Sequence, residues 1–366
     1  MATRPMPVGF ALQGSPMALR GRWHSGQRRS RRIAASPHFV DGRVLASMSR
    51  SPAPQDAPQL LWRFMTELRR HRPRHPVPTM TVDLDSLATA SLAPRITWLG
   101  HSSIFLECAG LRIFIDPVFG AAAPALAARF FQRLVEAPVA REALPLPDVV
   151  LISHNHYDHL EEATIRYYAS KPVVFIVPLG VGAYLEQWGV PARKIRELDW
   201  WEQSRVRGVE FKALPAIHKS GRSSLDLNKT LWASWGIRSS HGHLYYSGDS
   251  AYGDHFSLIG ERCGPFDLAF LEVAANVKGP DDYAVEEWGH MQAAHALQAG
   301  CDLGAERIFP VHWSTYELFL QDWDEPVEDL VEEAGRAGTR LLTPMIGRSV
   351  HLDSATDHWW RRCRAG

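Results

Sequence analysis

Residues 148–165 read DVVLISHNHYDHLEEATI. An apolar run, Val149 to Ile152, has the length and β-branched content of a buried strand. His154, His156, Asp158 and His159 follow within six positions, and LEEATI then has the pattern of a helix. In extended chain, residues two apart point the same way, so His154 and His156 can hold one ion. The turn into the helix swings Asp158 and His159 toward a second. Imidazole and carboxylate without thiolate suit Zn2+, and Mn2+ or Fe are also compatible. The bland alternative has Asp158 capping the helix and the histidines satisfying surface hydrogen bonds.

Working outward from this stretch, three more donors follow apolar runs: His218 after VEFKALPAI, Asp249 after LYYSG and His312 after AERIFPV. Each stands at the C-terminal end of an expected strand, where loops carry chemistry on a rigid scaffold. The four segments can therefore build one site, which the capping alternative does not explain. Arg95 onward, ITWLGHSSIFLECAGLRIFIDPVF alternates around Ala109-Gly110 as a hairpin does. Further strands are expected at PVVFIVP, TLWASWGI and FDLAFLEVA, and helices at EEATIRYYAS, GAYLEQWG, MQAAHALQAG and PVEDLVEEAGRAG. Many strands with interspersed helices point to an α/β protein whose sheets are covered outside by helices, an αββα sandwich. Residues 95–353 form this expected domain.

The ends read differently. The first fifty residues hold nine arginines and one acid, Asp41, so residues 1–37 read as a basic, disordered tail, with an organellar transit peptide as the lesser alternative. Residues 38–94 form an extension with one short amphipathic helix, Leu60 to Arg72, whose Leu61, Phe64, Met65 and Leu68 share a face. That face either packs on the domain or touches a membrane surface. Residues 354–366, with HWWRRCRAG, repeat the aromatic and basic theme. Forty basic residues balance forty acidic ones, so no whole-molecule field recruits nucleic acid, and none is expected as a partner. Four scattered cysteines, Cys108, Cys263, Cys301 and Cys363, suit a reducing compartment. The cytoplasm is the expected location, with peripheral membrane contact left open. Oligomeric state is not legible.

HxHxDH with distant His, Asp and His resembles the metallo-β-lactamase superfamily of binuclear hydrolases. TWLGHSS, FIDPVF, LPDVVLISHNHYDHL, ELDWWEQ, DLNKTLWASW, YSGDSAY and VHWSTY are similar to the branch of N-acyl-phosphatidylethanolamine-hydrolysing phospholipases D and its bacterial relatives. The resemblance runs from about Arg95 to Trp323. It implies that His154, His156 and His218 ligate one metal, that Asp158, His159 and His312 ligate the other, and that Asp249 bridges them. It implies two Zn2+, a solvent nucleophile between them acidified toward about pH 7, and a small-molecule or lipid phosphodiester as substrate. Two dications less Asp158, Asp249 and hydroxide leave about +1, which suits an anionic electrophile.

Asp158 and His290 are the expected catalytic residues, His290 because the branch places a substrate-contacting histidine there. Asp116 can orient a ligand histidine from behind, or be an ordinary turn residue. His101 can line the site or merely close a strand. The other histidines, including His241, His243, His255, His295, His351 and His358, are expected to be solvated. The resemblance is incomplete at Lys219, where the lipase branch carries an aromatic residue, and in the acidic segment holding Asp281, Asp282, Glu286 and Glu287. Two alternatives to the phosphodiesterase therefore stand: a lactone or carboxylic ester hydrolase, sugar-phosphate lactones included, and a catalytically silent metal-binding scaffold.

Overall fold

The computed structural model describes residues 16–45, 62, 66, 71–73, 75–124, 128, 131, 133–274 and 289–363, with backbone alone for residues 16–25. The expected Leu60–Arg72 helix lies largely outside the described residues, as does the acidic segment before His290. Helix α1 (Pro16–Ala35) and a small ribbon, β1 (Phe39–Val40) with β2 (Arg43–Val44), precede the domain. The domain starts at β3 (Arg95–Trp98). Next come β4 (Ile104–Cys108) and β5 (Leu111–Ile115), joined through Ala109 and Gly110 at φ 52° and 71°. Two left-handed residues are what a tight hairpin turn needs to follow the strand twist.

The first sheet continues with β6 (Val149–Leu151), β7 (Val174–Pro178) and β8 (Ile195–Leu198), and β16 (Ser349–His351) closes its other edge in the order β16-β3-β4-β5-β6-β7-β8. The second sheet holds β9 (Gln203–Val206), β10 (Val209–Leu214), β11 (Ser234–Ser239), β12 (Gly242–Tyr246), β13 (Leu268–Glu272), β14 (Arg307–Val311) and β15 (Arg340–Leu341), each paired to the next. Each sheet begins antiparallel and turns parallel, from β5 in the first and from β12 in the second. Parallel strands are covered on both faces. That is why VVL, FIVP and LAFL are unbroken apolar runs, whereas VEFKAL in β10 alternates.

The inner faces of the sheets meet through Leu106, Ile113 and Leu151 against Phe211, Trp235, Phe270 and Phe309. Helices α2 (Glu162–Ala169) and α3 (Gly182–Gln187) cover the first sheet, setting Ile165, Tyr168 and Leu185 on Phe114, Val150 and Phe175. Helices α4 (His255–Cys263), α5 (Ala293–Asp302) and α6 (Glu325–Ala337) cover the second with Phe256, Ile259, Ala296 and Leu330. The layers are αββα, as the strand and helix pattern implied.

Both ends depart from the sequence reading. Residues 16–35 are a helix rather than a disordered tail. Arg29 sits between Glu186 and Glu197, with N–O distances of 2.5 and 2.7 Å, and Arg32 donates to the Glu197 carbonyl at 2.6 Å. The arginines that look solvated by composition meet acids more than 150 residues away. Near the C-terminus, Trp359 and Trp360 are fully buried and pack on Trp313. Their ring nitrogens donate to the Pro344 carbonyl at 3.1 Å and to Glu328 at 2.7 Å. These rings are core and offer no face to a lipid. His255 is not solvated either, since its Nε2 lies 3.1 Å from Ser250 Oγ. Among the described residues no helix is long and apolar enough to cross a membrane.

Candidate metal centre

Strands from both sheets end at one edge of the sandwich. His154 to His159 follow β6, Asp116 follows β5, His218 follows β10, Asp249 follows β12 and His312 directly follows β14. The sheets are tied beside the site: Ala233 N–H donates to the Ser153 carbonyl at 2.9 Å and Trp235 Nε1 to the Ile152 carbonyl at 3.1 Å. Two glycines permit the approach. A side chain on Gly248 would place its Cβ 2.7 Å from Ser153 Cβ, and one on Gly289 would lie 2.6 Å from His218 Nδ1.

The donor atoms fall into two groups that share one carboxylate. In the first, His156 Nδ1 lies 2.9 Å from His154 Nε2 and 3.2 Å from His218 Nε2, and both of those nitrogens stand 3.7 Å from Asp249 Oδ2. In the second, Asp158 Oδ2 is 3.6 Å from His159 Nε2 and from His312 Nε2. Asp249 reaches His159 Nε2 at 3.1 Å through Oδ1 and His312 Nε2 at 3.2 Å through Oδ2. The structure thus brings together all seven residues named from the sequence as ligands.

The opposite ring nitrogens are held from behind. Asp116 Oδ2 accepts from His159 Nδ1 at 2.7 Å and from the Tyr246 hydroxyl at 2.6 Å, while its Oδ1 accepts from Ser153 N–H at 2.7 Å. Ser153 Oγ is 2.9 Å from His154 Nδ1, and the Gly289 carbonyl is 2.9 Å from His218 Nδ1. Such partners fix the tautomer and turn the other nitrogen toward a cation. His101, Asp116 and His312 have φ of 49°, 38° and 70°, a conformation that costs non-glycine residues about 1–3 kcal/mol each and that gathers at functional sites.

Burial drives His154 and His218 well below the ordinary imidazole range and His156 down to about 4, keeping them in the neutral form that binds metal. Burial, the largest single influence, lowers His159 and His312, but the surrounding carboxylates together outweigh it, Asp249 with Asp158 and Asp116 at His159 and Asp249 with Asp158 and Glu272 at His312, and both are raised, His312 to about 10. Conversely, burial raises Asp158 and Asp249, but the imidazoles around them together hold both well below the usual carboxylate range, His159, His101 and His312 at Asp158 and His159 with His312 at Asp249. Despite the 3.1–3.2 Å approaches to Asp249, His159 Nε2, His312 Nε2 and Asp249 Oδ1 are buried without a well-formed hydrogen bond among the described residues, and buried polar atoms of this kind require a partner. A divalent cation satisfies all three, so the residues present fit a metal.

His101 Nε2 lies 3.1 Å from Asp158 Oδ2, and its ring packs on His312 with centroids 4.2 Å apart. Burial pushes it down to about 3, so it meets Asp158 as a neutral donor. His290 stands beside the centre, its ring 5.0 Å from His312 and 5.2 Å from His218. Sequence reasoning missed Glu272. This carboxylate is fully buried at the end of β13 and reaches His290 Nδ1 at 3.1 Å. Burial raises it while His290 opposes the rise. Its one local signal was an acid closing the apolar run FDLAFLE.

The family described as the beta-lactamase superfamily domain matches residues 111–313, more than half of the chain. The chain belongs to the metallo-β-lactamase superfamily. An uncharacterised protein of Mycobacterium tuberculosis is 35% identical over 96% of this chain and 94% of its own. The mitochondrial N-acyl-phosphatidylethanolamine-hydrolyzing phospholipase D of Saccharomyces cerevisiae is 34% identical over 70% of this chain and 56% of its own. Igni18, a metallo hydrolase from Ignicoccus hospitalis, superposes with a TM-score of 0.55 at 19% identity, over 72% of this chain and 99% of that one. That likeness shows the superfamily fold, and the paired donor groups occupy its strand-end edge.

Proposed function

We propose that this superfamily member is a metal-dependent hydrolase that binds two divalent cations, zinc first among them, and cleaves a phosphodiester of the phospholipid kind. The carrying observation is Asp249, whose Oδ2 borders His154 and His218 of the first group and His312 of the second while its Oδ1 lies beside His159, so that one carboxylate adjoins both groups. His154, His156 and His218 would hold one cation and Asp158, His159 and His312 the other, with Asp249 placed next to both groups. Bound cations of this type supply Lewis acidity and a water whose pKa falls to about 7. The chain orients the ligands through Asp116, Ser153 and the Gly289 carbonyl, and sets His290 at the rim to meet the substrate.

The structure alters the charge count made from the sequence. Asp116 and Glu272 join Asp158 and Asp249 in the buried shell, so four carboxylates face two dications and net charge alone does not select an anionic substrate. The substrate class is supported instead by the similarity to the yeast phospholipase D. Membrane contact rests on the Leu60–Arg72 segment alone, because Trp359 and Trp360 are interior.

The test is a substrate panel on zinc-reconstituted protein with metal quantified. We expect about two equivalents of zinc and turnover of bis-p-nitrophenyl phosphate and N-acylphosphatidylethanolamine. His156→Ala should lose metal and turnover together. Hydrolysis of lactones or p-nitrophenyl esters with no diester turnover would move the assignment to carbonyl substrates, and one equivalent or none in active protein would reject the paired-cation reading.

A further inference from the structure

Glu272 is a buried acid beside the donor groups that belongs to neither of them. Two backbone amides hold one of its oxygens: Ser250 N–H and Met291 N–H both donate to Oε1 at 3.1 Å. The residue is fully buried and its backbone lies in β13, between β12 and β14. The side chain is therefore fixed at both ends. Its free oxygen, Oε2, faces two imidazoles, with His290 Nδ1 at 3.1 Å and His312 Nδ1 at 4.0 Å. No hydrogen-bond partner reaches His312 Nδ1 within the described residues. Its neighbour Asp249 contacts Nε2, on the other side of the ring.

We propose that Glu272 is a positioning residue that sets two histidines at once, holding His312 as a ligand and presenting His290 Nε2 to the substrate. The inference rests on the hydrolase reading and deepens it. A carboxylate behind a ligand histidine fixes its ring and raises its basicity. The same oxygen, accepting from His290 Nδ1–H, leaves Nε2 as the nitrogen on the other side of that ring, and the ring faces His218 and His312 across 5.0–5.2 Å. Because Oε1 is anchored by the amides of Ser250, directly after Asp249, and of Met291, directly after His290, Glu272 also ties the ligand loop to the segment that carries His290. His290 is then a catalytic residue through its contact with substrate, and Glu272 acts through it.

Glu272→Gln keeps volume and shape and replaces one acceptor by a donor. Three readouts separate its role from general structure. Competition with a chromophoric chelator should show zinc affinity falling about 10-fold or more in Glu272→Gln and staying within twofold in His290→Gln. With bis-p-nitrophenyl phosphate at saturating zinc, kcat should fall in each single variant with KM nearly constant. In the double variant it should fall no further than in the worse single variant, because the two residues act as a unit. Nitrogen-15 NMR of wild-type protein should show His290 as the Nδ1–H tautomer, a measurement that needs neither turnover nor a variant. Multiplying losses in the double variant, unchanged zinc affinity in Glu272→Gln, or the Nε2–H tautomer at His290 would overturn the proposal. Absence of diester turnover in wild type would instead strike the substrate class, with zinc affinity and the tautomer still deciding Glu272.

Discussion

Replacing Asp116 by Asn removes a charge and almost no volume, so it tests the shell behind the ligands with little disturbance to packing. Both oxygens of Asp116 act as acceptors: Oδ1 from Ser153 N–H, Oδ2 from His159 Nδ1 and from the hydroxyls of Tyr246 and Ser153, both of which can rotate. An amide offers one acceptor and one donor. If its NH2 takes the Oδ1 place, it opposes the Ser153 N–H and leaves a buried donor unsatisfied, at about 1–3 kcal/mol. If its NH2 takes the Oδ2 place, Tyr246 and Ser153 can rotate their hydroxyls, but His159 must move its proton to Nε2, the nitrogen that faces Asp249 at 3.1 Å. The ligand nitrogen is then blocked, and zinc affinity falls about 10- to 100-fold, equivalent to about 1.4–2.7 kcal/mol. Either orientation costs a comparable amount, so Asp116→Asn must show a loss in one place or the other. The assays are zinc competition against a chromophoric chelator and urea denaturation of metal-free protein. Zinc affinity within twofold of wild type together with stability within about 0.5 kcal/mol would refute the reasoning.

Two further outcomes are expected. Arg29→Ala removes the cation shared by Glu186 and Glu197, whose side chains are 8% and 11% exposed, and leaves Glu197 the amides of Gly180 and Gly182 in place of a counter-charge. Breaking a pair this buried costs about 3 kcal/mol, read by urea denaturation, and a loss near zero would return α1 to the status of a solvated tail. The metal-free protein should also lose stability in acid. Burial holds His101 at about 3 and His156 and His255 at about 4, with His154 and His218 lowered as well. Below about pH 6.5 the unfolded chain takes up protons that the fold refuses, so stability falls as pH drops from about 6.5 toward 4. The raised His159 and His312 do not reverse the slope, since their contribution is complete below about 6.5 and fades only as pH rises through their higher folded values. A urea midpoint unchanged between pH 6.5 and 4.5 would contradict this.

Much of the molecule was legible in the chain because its signals are local. Unbroken apolar runs announce buried strands, Ala109-Gly110 announces a hairpin, and HxHxDH sets four donors in the six consecutive positions 154–159 that follow a strand. His218, Asp249 and His312 were found by the same rule, since each follows an apolar run that must be a strand. What spacing could not carry were partners distant in sequence and close only after folding. Asp116 became more than a turn residue when β5 and β6 paired and set it against Ser153 and His159. Residues 16–35 read as a tail because Glu186 and Glu197 lie far along the chain. The rings of Trp359 and Trp360 looked like a membrane signature until Trp313 covered them. Glu272 was hidden for the same reason: an acid closing an apolar strand has no visible purpose until the parallel pairing of β12, β13 and β14 sets it behind His312 and beside His290. Periodicity records which side of a strand is buried, and only the packing of the strands decides what each buried charge meets there.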